Sequence, residues 1–267
     1  MVKNLFYILL LLSSHNVLAS EPLPWQVYLQ PAATEVMKDI TQLHDFMMYI
    51  VTGVVIVVLV LLSYTCYRFY YKRNPIPAKF THNVLIEVVW TIIPVIILCA
   101  IAVPSYKLLQ KEEEIPVADM TVKVAGYQWY WKYEYPDNGG FNFDSYMLDP
   151  TTLKPGQKRL LDVDNELVIP QSTTVRFLIT GADVIHSFTV PSFGFKIDAV
   201  PGRINETYVK VDKIGTYYGQ CSELCGVNHG FMPIAIRVVS KEDFAKWVVD
   251  AKTKFSSLSS VKTLALK

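Results

Sequence analysis

FMMYIVTGVVIVVLVLLSYTCY, residues 46–67, holds no charged residue, and its centre, residues 50–62, is almost wholly Val, Ile and Leu. At about 1.5 Å per residue, a helix of this length crosses a hydrocarbon core of ~30 Å. A second uncharged stretch, residues 88–106, lies between Glu87 and Lys107. Pro94 stands inside it and is expected to kink the helix rather than end it. A buried core helix is the alternative for each stretch. Two of them, joined by a short polar loop, point instead to a hairpin of two membrane spans. The loop carries Arg68, Lys72, Arg73 and Lys79 and no acid. Such charge collects on the cytoplasmic side, or the matrix side of an organelle. The mature N-terminus and everything after Lys107 are therefore expected outside.

Upstream, residues 1–19 read as a secretory signal. Lys3 gives the positive start, residues 6–12 the apolar run, and Val17-Leu18-Ala19 a small-x-small cleavage site. An N-terminal anchor is the competing reading. Export implies an oxidising compartment. Glu87, at the inner end of the second span, is either a solvated acid or a marker of a proton route.

The whole chain is 267 residues with 25 basic and 24 acidic side chains, a formal net charge of +1. That balance provides no global field for nucleic acid and argues against a nucleic-acid partner. Hydrophobic residues make up 51%, which excludes disorder for most of the chain. Residues 20–108 form the N-terminal segment and hairpin. Residues 109–119 read as an acidic, Pro-containing linker.

Beyond it the texture turns to β. Strand candidates are residues 120–124, 127–135, 160–163, 173–180, 187–190, 206–211, 217–220 and 234–239, separated by Gly- and Pro-bearing turns. Short strands at this spacing suggest an all-β sandwich or barrel. One helix closes the domain: Ser240 caps it, and Phe244, Trp247, Val248 and Ala251 form its apolar stripe. The external domain is thus placed at 109–255, with 256–267 a mobile tail without pattern.

Cys66 and Cys99 lie in or beside the spans and read as apolar filler. Cys221 and Cys225 differ, because His229 and Met232 follow within twelve residues, and Asp183-Val-Ile-His186 precedes. Soft sulfur with imidazole favours copper or zinc. A blue-copper site needs one Cys, two His and a weak axial Met; here there is one extra Cys. Two thiolates can bridge two coppers, each taking one imidazole, with Met232 and a backbone carbonyl as weak axial donors. Three alternatives stand beside this: a Cys221–Cys225 disulfide, a Cys2His2 zinc site, and a thiol-type copper chaperone.

The segment 221–232 with 183–188 resembles the binuclear copper A site of the subunit 2 family of cytochrome c oxidases. So do Gln128-Trp129-Tyr130-Trp131, Phe143-Asp144-Ser145-Tyr146-Met147, Leu161-Asp162-Val163-Asp164-Asn165, Val190-Pro191-Ser192-Phe193-Gly194 and Asp198-Ala199-Val200-Pro201-Gly202-Arg203. The likeness covers about residues 25–250. It implies a two-helix transmembrane hairpin plus an all-β, cupredoxin-like Greek-key barrel. It implies that Cys221 and Cys225 bridge two coppers, that His186 and His229 bind one each, and that Met232 and the Glu223 carbonyl sit axially. The Glu223 side chain would help hold a magnesium ion shared with the catalytic subunit. Trp129 would receive electrons from cytochrome c, and Glu87 would stand at the mouth of a proton channel. Tyr127 departs from the family, many members of which have His there.

The implied partners are subunit 1, with haem a and haem a3-copper B, subunit 3, cytochrome c and membrane lipid. The implied activity is oxygen reduction to water coupled to proton pumping, with the oxygen chemistry in the partner. The signal suggests a bacterial inner membrane with the domain in the periplasm; a mitochondrial inner membrane facing the intermembrane space is the alternative. Acids crowd residues 132–166, and Glu134, Asp164 and Asp183 are expected to dock a basic cytochrome c. Rival readings are the copper A subunit of a nitric or nitrous oxide reductase and a membrane-anchored copper-delivery protein. A quinol-oxidase subunit is disfavoured, since that relative lacks the ligands.

Overall fold

The computed structural model describes residues 19–265, so the expected signal lies, apart from Ala19, outside the described residues. The chain divides into two compact units. One is Lys38–Glu114; the other joins the residues up to Met37 with those from Ile115 onward.

The first unit is the hairpin. Helix α1 spans Glu35–Arg68 and α2 spans Val84–Glu113. Both are long and apolar enough to cross a membrane, and their apolar windows are buried against nothing. α1 starts eleven residues before the uncharged run, because its polar first turns are helical too. α2 passes through Pro94 and Pro104 without a break. It also absorbs residues 109–113, so the expected linker shrinks to a few residues before the first long strand. Asn83 caps α2: its side chain accepts from Ile86 N at 3.2 Å. Glu87 closes the cap by accepting from Asn83 N at 3.3 Å, which covers orphan donors of the first turn.

The second unit is β. Its strands are β1 (Ala19–Ser20), β2 (Met120–Tyr127), β3 (Tyr130–Tyr135), β4 (Phe141–Ser145), β5 (Leu167–Pro170), β6 (Val175–Gly181), β7 (His186–Val190), β8 (Phe195–Ala199), β9 (Asn205–Val209), β10 (Gly215–Gln220) and β11 (Pro233–Val239). One sheet runs β1-β10-β11-β5 and another β4-β3-β2-β6-β9; β7 and β8 form a ribbon. β2 and β6 alternate buried and half-exposed positions, as a sheet with one face on a core requires. Val122, Val124, Trp131 and Tyr133 from one sheet meet Leu167, Ile234 and Ile236 from the other in one core.

Tyr135 ties the two sheets. Its fully buried hydroxyl donates to Val168 O at 2.9 Å and accepts from Val168 N at 3.0 Å. Helix α3, Lys241–Ala265, covers the end of the core. Phe244, Val248, Ala251 and Phe255 are buried, and Trp247 packs on Tyr135, Phe141 and Phe143. Each such large side chain contributes about 1.5–3 kcal/mol by leaving water.

Three expectations change. Residues 160–163 form a turn, with Leu160 at φ 68°, and only Val163 makes a bridge, to Met147. The tail from residue 256 continues the closing helix through Ala265 instead of lacking regular structure. The N-terminal segment up to Met37 belongs with the β unit: Ala33 N donates to Ser192 O at 2.9 Å, and Thr34 Oγ1 donates to Phe193 O at 2.7 Å.

Candidate metal centre

Two structural facts gather the donors. β7 and β10 lie side by side, so His186, first residue of β7, faces Cys221, just past the end of β10; Ser222 N donates to Ser187 O at 3.0 Å. The loop from Cys221 then folds back into β11, carrying Cys225, His229 and Met232 over the same spot. His186, Cys221 and Cys225 offer ligand atoms that all lie within 4.8 Å of one another, and all three residues are buried. His186 Nδ1 is 3.9 Å from Cys221 Sγ, and the two sulfurs are 3.8 Å apart. His229 Nδ1 is 3.5 Å and Met232 Sδ 3.6 Å from Cys225 Sγ. The Glu223 carbonyl accepts from Cys221 Sγ at 3.4 Å, while the Glu223 residue is exposed. All six residues expected from the sequence therefore converge.

The sulfurs are too far apart for the ~2.05 Å bond of a disulfide, and all four cysteines are free. Their ionisation is uneven. Burial opposes the Cys221 thiolate, but the His186 imidazole and main-chain hydrogen bonds outweigh it and bring the pKa to about 6. Burial and the adjacent Cys221 charge push Cys225 up to about 12. Burial also disfavours a charged His186, yet Cys221 and Asp183 together raise its pKa.

Several supports were not evident from the sequence. Asp183 Oδ1 lies 2.8 Å from His186 Nε2, while its Oδ2 accepts from Gln128 N at 2.7 Å. Burial acts against that carboxylate, but bonds with His186, Val184 N and Gln128 N hold it below the usual range. An acid on Nε2 leaves Nδ1 free to ligate. Asp183 therefore supports a ligand while its carboxylate stays a third exposed, on the surface where a docking acid was expected. Gln128 Nε2 and the Trp129 indole N–H both donate to Cys225 O, at 2.8 and 3.2 Å. The Trp131 indole donates to Met232 O at 3.2 Å. Gly126 leaves room for the histidine: a Cβ there would sit 2.8 Å from His186 Cδ2. Gly226, at φ +118°, lets the loop approach Trp129, whose ring would lie 3.1 Å from an added Cβ. The Gln-Trp-Tyr-Trp motif was the available signal, because alternation sends Trp131 inward and leaves Gln128 and Trp129 at the hairpin tip.

The other expected residues are apart from this cluster. Glu134 is paired with Lys123 at 2.9 Å. Asp164 Oδ1 accepts from Tyr146 N at 2.7 Å. Tyr146, bonded to Asp164, stacks on Tyr130 at 4.5 Å, and Tyr130 stacks on Tyr127 at 4.8 Å. Glu87 lies in the hairpin unit, in the α2 cap.

Comparison with known proteins decides the family. The description "Cytochrome C oxidase subunit II, periplasmic domain" matches residues 120–239, and "Cytochrome C oxidase subunit II, transmembrane domain" matches residues 22–108. The chain belongs to the cytochrome c oxidase subunit II family. It is 63% identical over 238 residues to "Probable cytochrome c oxidase subunit 2" of Rickettsia felis, covering 89% of this chain and 76% of that protein. It is 60% identical over 248 residues to the protein of the same description in Rickettsia bellii, covering 92% of each. The crystal structure of the periplasmic domain of subunit II of cytochrome oxidase of Bradyrhizobium japonicum is 58% identical. It matches 53% of this chain and 99% of that domain, with a TM-score of 0.50.

As a subunit II, the chain is part of a haem-copper oxidase complex, an oxidoreductase, and the reductase and delivery readings fall behind. The hairpin followed by a cupredoxin-like periplasmic domain fits the bacterial inner membrane. The family implies a copper A centre, and the buried His186, Cys221 and Cys225 form a cluster able to hold metal.

Proposed function

We propose that this chain takes electrons one at a time from a c-type cytochrome at Trp129, holds them at a two-copper centre, and passes them to the haem-bearing catalytic subunit. The observation that carries this reading is the convergence of two thiols, two imidazole nitrogens, a thioether and a carbonyl within a few ångströms. That donor set fits copper: its sulfur and imidazole donors are soft and favour copper over hard cations. Cys221, Cys225, His186 and His229 would hold the metal, with Met232 and the Glu223 carbonyl as weaker donors. Copper bound there would supply a one-electron relay.

The protein's own part is rigidity and connection. Asp183 fixes the His186 ring, and Trp131 and Phe188 pack edge-on at 5.0 Å to wall the site from the core side. From the half-exposed Trp129 ring one hydrogen bond leads to Cys225 O, a short connection from surface to ligand. Asp164 beside the tyrosine stack, the part-exposed Asp183, and Glu134 further along β3 are the acids that would steer a basic cytochrome. The exposed Glu223 carboxylate is free to reach a magnesium ion shared with subunit 1, and subunit 3 completes the assembly. Glu87 admits protons at the inner end of the second span. Residues 1–19 are removed as a signal, and the external domain then comprises the segment up to Met37 together with the chain from Ile115 onward.

Metal analysis and EPR of the purified full chain test the centre. Two coppers per chain and a spectrum split by two equivalent metals are expected. One copper, or the spectrum of a single isolated site, removes the proposal. Cys221→Ser should abolish the shared state while far-UV circular dichroism stays unchanged.

A further inference from the structure

The inner loop of the hairpin, residues 68–82, is used by nothing described so far. It carries Arg68, Lys72, Arg73 and Lys79, and no acid occurs anywhere from residue 46 to residue 86. Among the described residues none of these four cations forms an ion pair; the salt bridges all lie elsewhere. They are backed by rings instead. The Arg73 guanidinium lies 3.7 Å over the Tyr67 ring, Arg68 lies 5.7 Å over Phe69, and the Lys72 ammonium lies 5.8 Å over Tyr71.

The backbone makes this arrangement. α1 ends at Arg68, and Arg73 N and Asn74 N both donate to Tyr70 O, at 2.8 and 2.9 Å. That tight turn folds Arg73 back onto the last turn of α1. The rings stay accessible: Tyr67 and Tyr71 are each 66% exposed and Phe80 is 79% exposed. Cations and exposed aromatic rings together match one environment, the headgroup layer of a bilayer, where amphipathic rings settle and phosphates are plentiful. An arginine fork can hold a phosphodiester with two parallel hydrogen bonds.

We propose that residues 68–82 form a binding site for the phosphodiester headgroup of an anionic phospholipid in the inner leaflet. Arg68 and Arg73 grip the phosphate, Lys72 and Lys79 add charge, and Tyr67 and Tyr71 hold the loop at headgroup depth. The proposal rests on the hairpin lying in a membrane and is independent of the copper assignment.

The test is reconstitution of the purified full chain into phosphatidylcholine bilayers with trace spin-labelled phosphatidylglycerol or spin-labelled phosphatidylcholine. The motionally restricted fraction of each label measures association. Phosphatidylglycerol should be preferred several-fold at low salt and much less at 1 M salt, where the Debye length is ~3 Å. Arg68→Gln with Arg73→Gln should bring the ratio of the two labels clearly toward one, and so should Lys72→Gln with Lys79→Gln, because each pair removes two of the four cations that attract anionic lipid. Each pair leaves two positive charges to keep orientation, so one pair serves if the other fails to reconstitute. Arg73→Lys, which keeps charge but loses the fork, should show an intermediate loss. Equal association of the two labels, or a preference unchanged in both double variants, overturns the proposal. So does a preference that vanishes once the oxidase is assembled, which assigns the loop to a protein partner.

Discussion

Asp183→Asn isolates the support of one metal ligand from the ligand itself. The Asp183 carboxylate spans His186 Nε2 at 2.8 Å and Gln128 N at 2.7 Å, and also accepts from Val184 N at 2.7 Å. Asparagine keeps one acceptor and gains a donor. If its oxygen stays on the imidazole, its NH2 faces the Gln128 N–H; if it turns to the backbone, its NH2 faces the imidazole N–H. Either way one charge-assisted hydrogen bond is lost, worth about 1.5–3 kcal/mol. At ~1.4 kcal/mol per factor of ten, that is a copper affinity weaker by about 10- to 100-fold, the range seen for such outer partners of ligating histidines. Competition of the full chain against a calibrated copper chelator measures it. The absorption of the loaded protein should be little changed, because all six donors remain. Asp164→Asn is the comparison, since Asp164 bonds Tyr146 N and no ligand. If Asp183→Asn binds copper as tightly as wild type, or no more weakly than Asp164→Asn, the carboxylate does not position His186. Steering of the cytochrome is then its remaining role.

Copper loading should release protons: Cys225, pushed up to about 12, is still a thiol at neutral pH, so apparent affinity should rise with pH until loading no longer displaces that proton, read by chelator competition from pH 6 to 9. Cys221, drawn down by His186 and main-chain hydrogen bonds, should add less of this slope than Cys225. Trp129→Gln should leave copper spectra and cytochrome affinity intact but cut stopped-flow reduction by cytochrome c at least about ten-fold; normal reduction makes Trp129 packing only. Glu134→Gln with Asp164→Asn should slow reduction at 0.01 M salt and matter little at 0.1 M, where the Debye length is ~10 Å. Glu87→Gln keeps an acceptor for the Asn83 cap but cannot carry a proton, so reduced turnover in this variant supports proton admission, whereas loss confined to Glu87→Ala assigns Glu87 to the cap.

The hairpin was readable because a span needs no partner: residues 46–67 declare themselves by lack of charge alone. The ligand loop was readable because Cys221, Cys225, His229 and Met232 are soft donors crowded into twelve residues. The rest depended on distance through the fold. β5 is a four-residue run buried on both faces, too short to show alternation. β8 hides behind the Pro191–Phe193 turn and has exposed Lys196 and Asp198 on its outer side. Residues 160–163 have β-type side chains but a left-handed Leu160, which only the backbone reveals. The support Asp183 gives His186 was hidden because its second partner, Gln128, is 55 residues away.

The Thr34 clasp has a consequence for the order of assembly. Thr34 is synthesised early, but the carbonyl it binds belongs to Phe193, 159 residues later, with both spans in between. The β unit is therefore not contiguous along the chain; its first piece must wait outside while the hairpin is threaded in and out again. Loop-closure entropy grows only logarithmically with length, so the delay is kinetic more than energetic. The clasp and the neighbouring strand that begins with His186 can form only after the far side of the hairpin has been exported. The donors at His186 and Cys221–Met232 lie still later in the chain than the spans, so they come together only in the exported part.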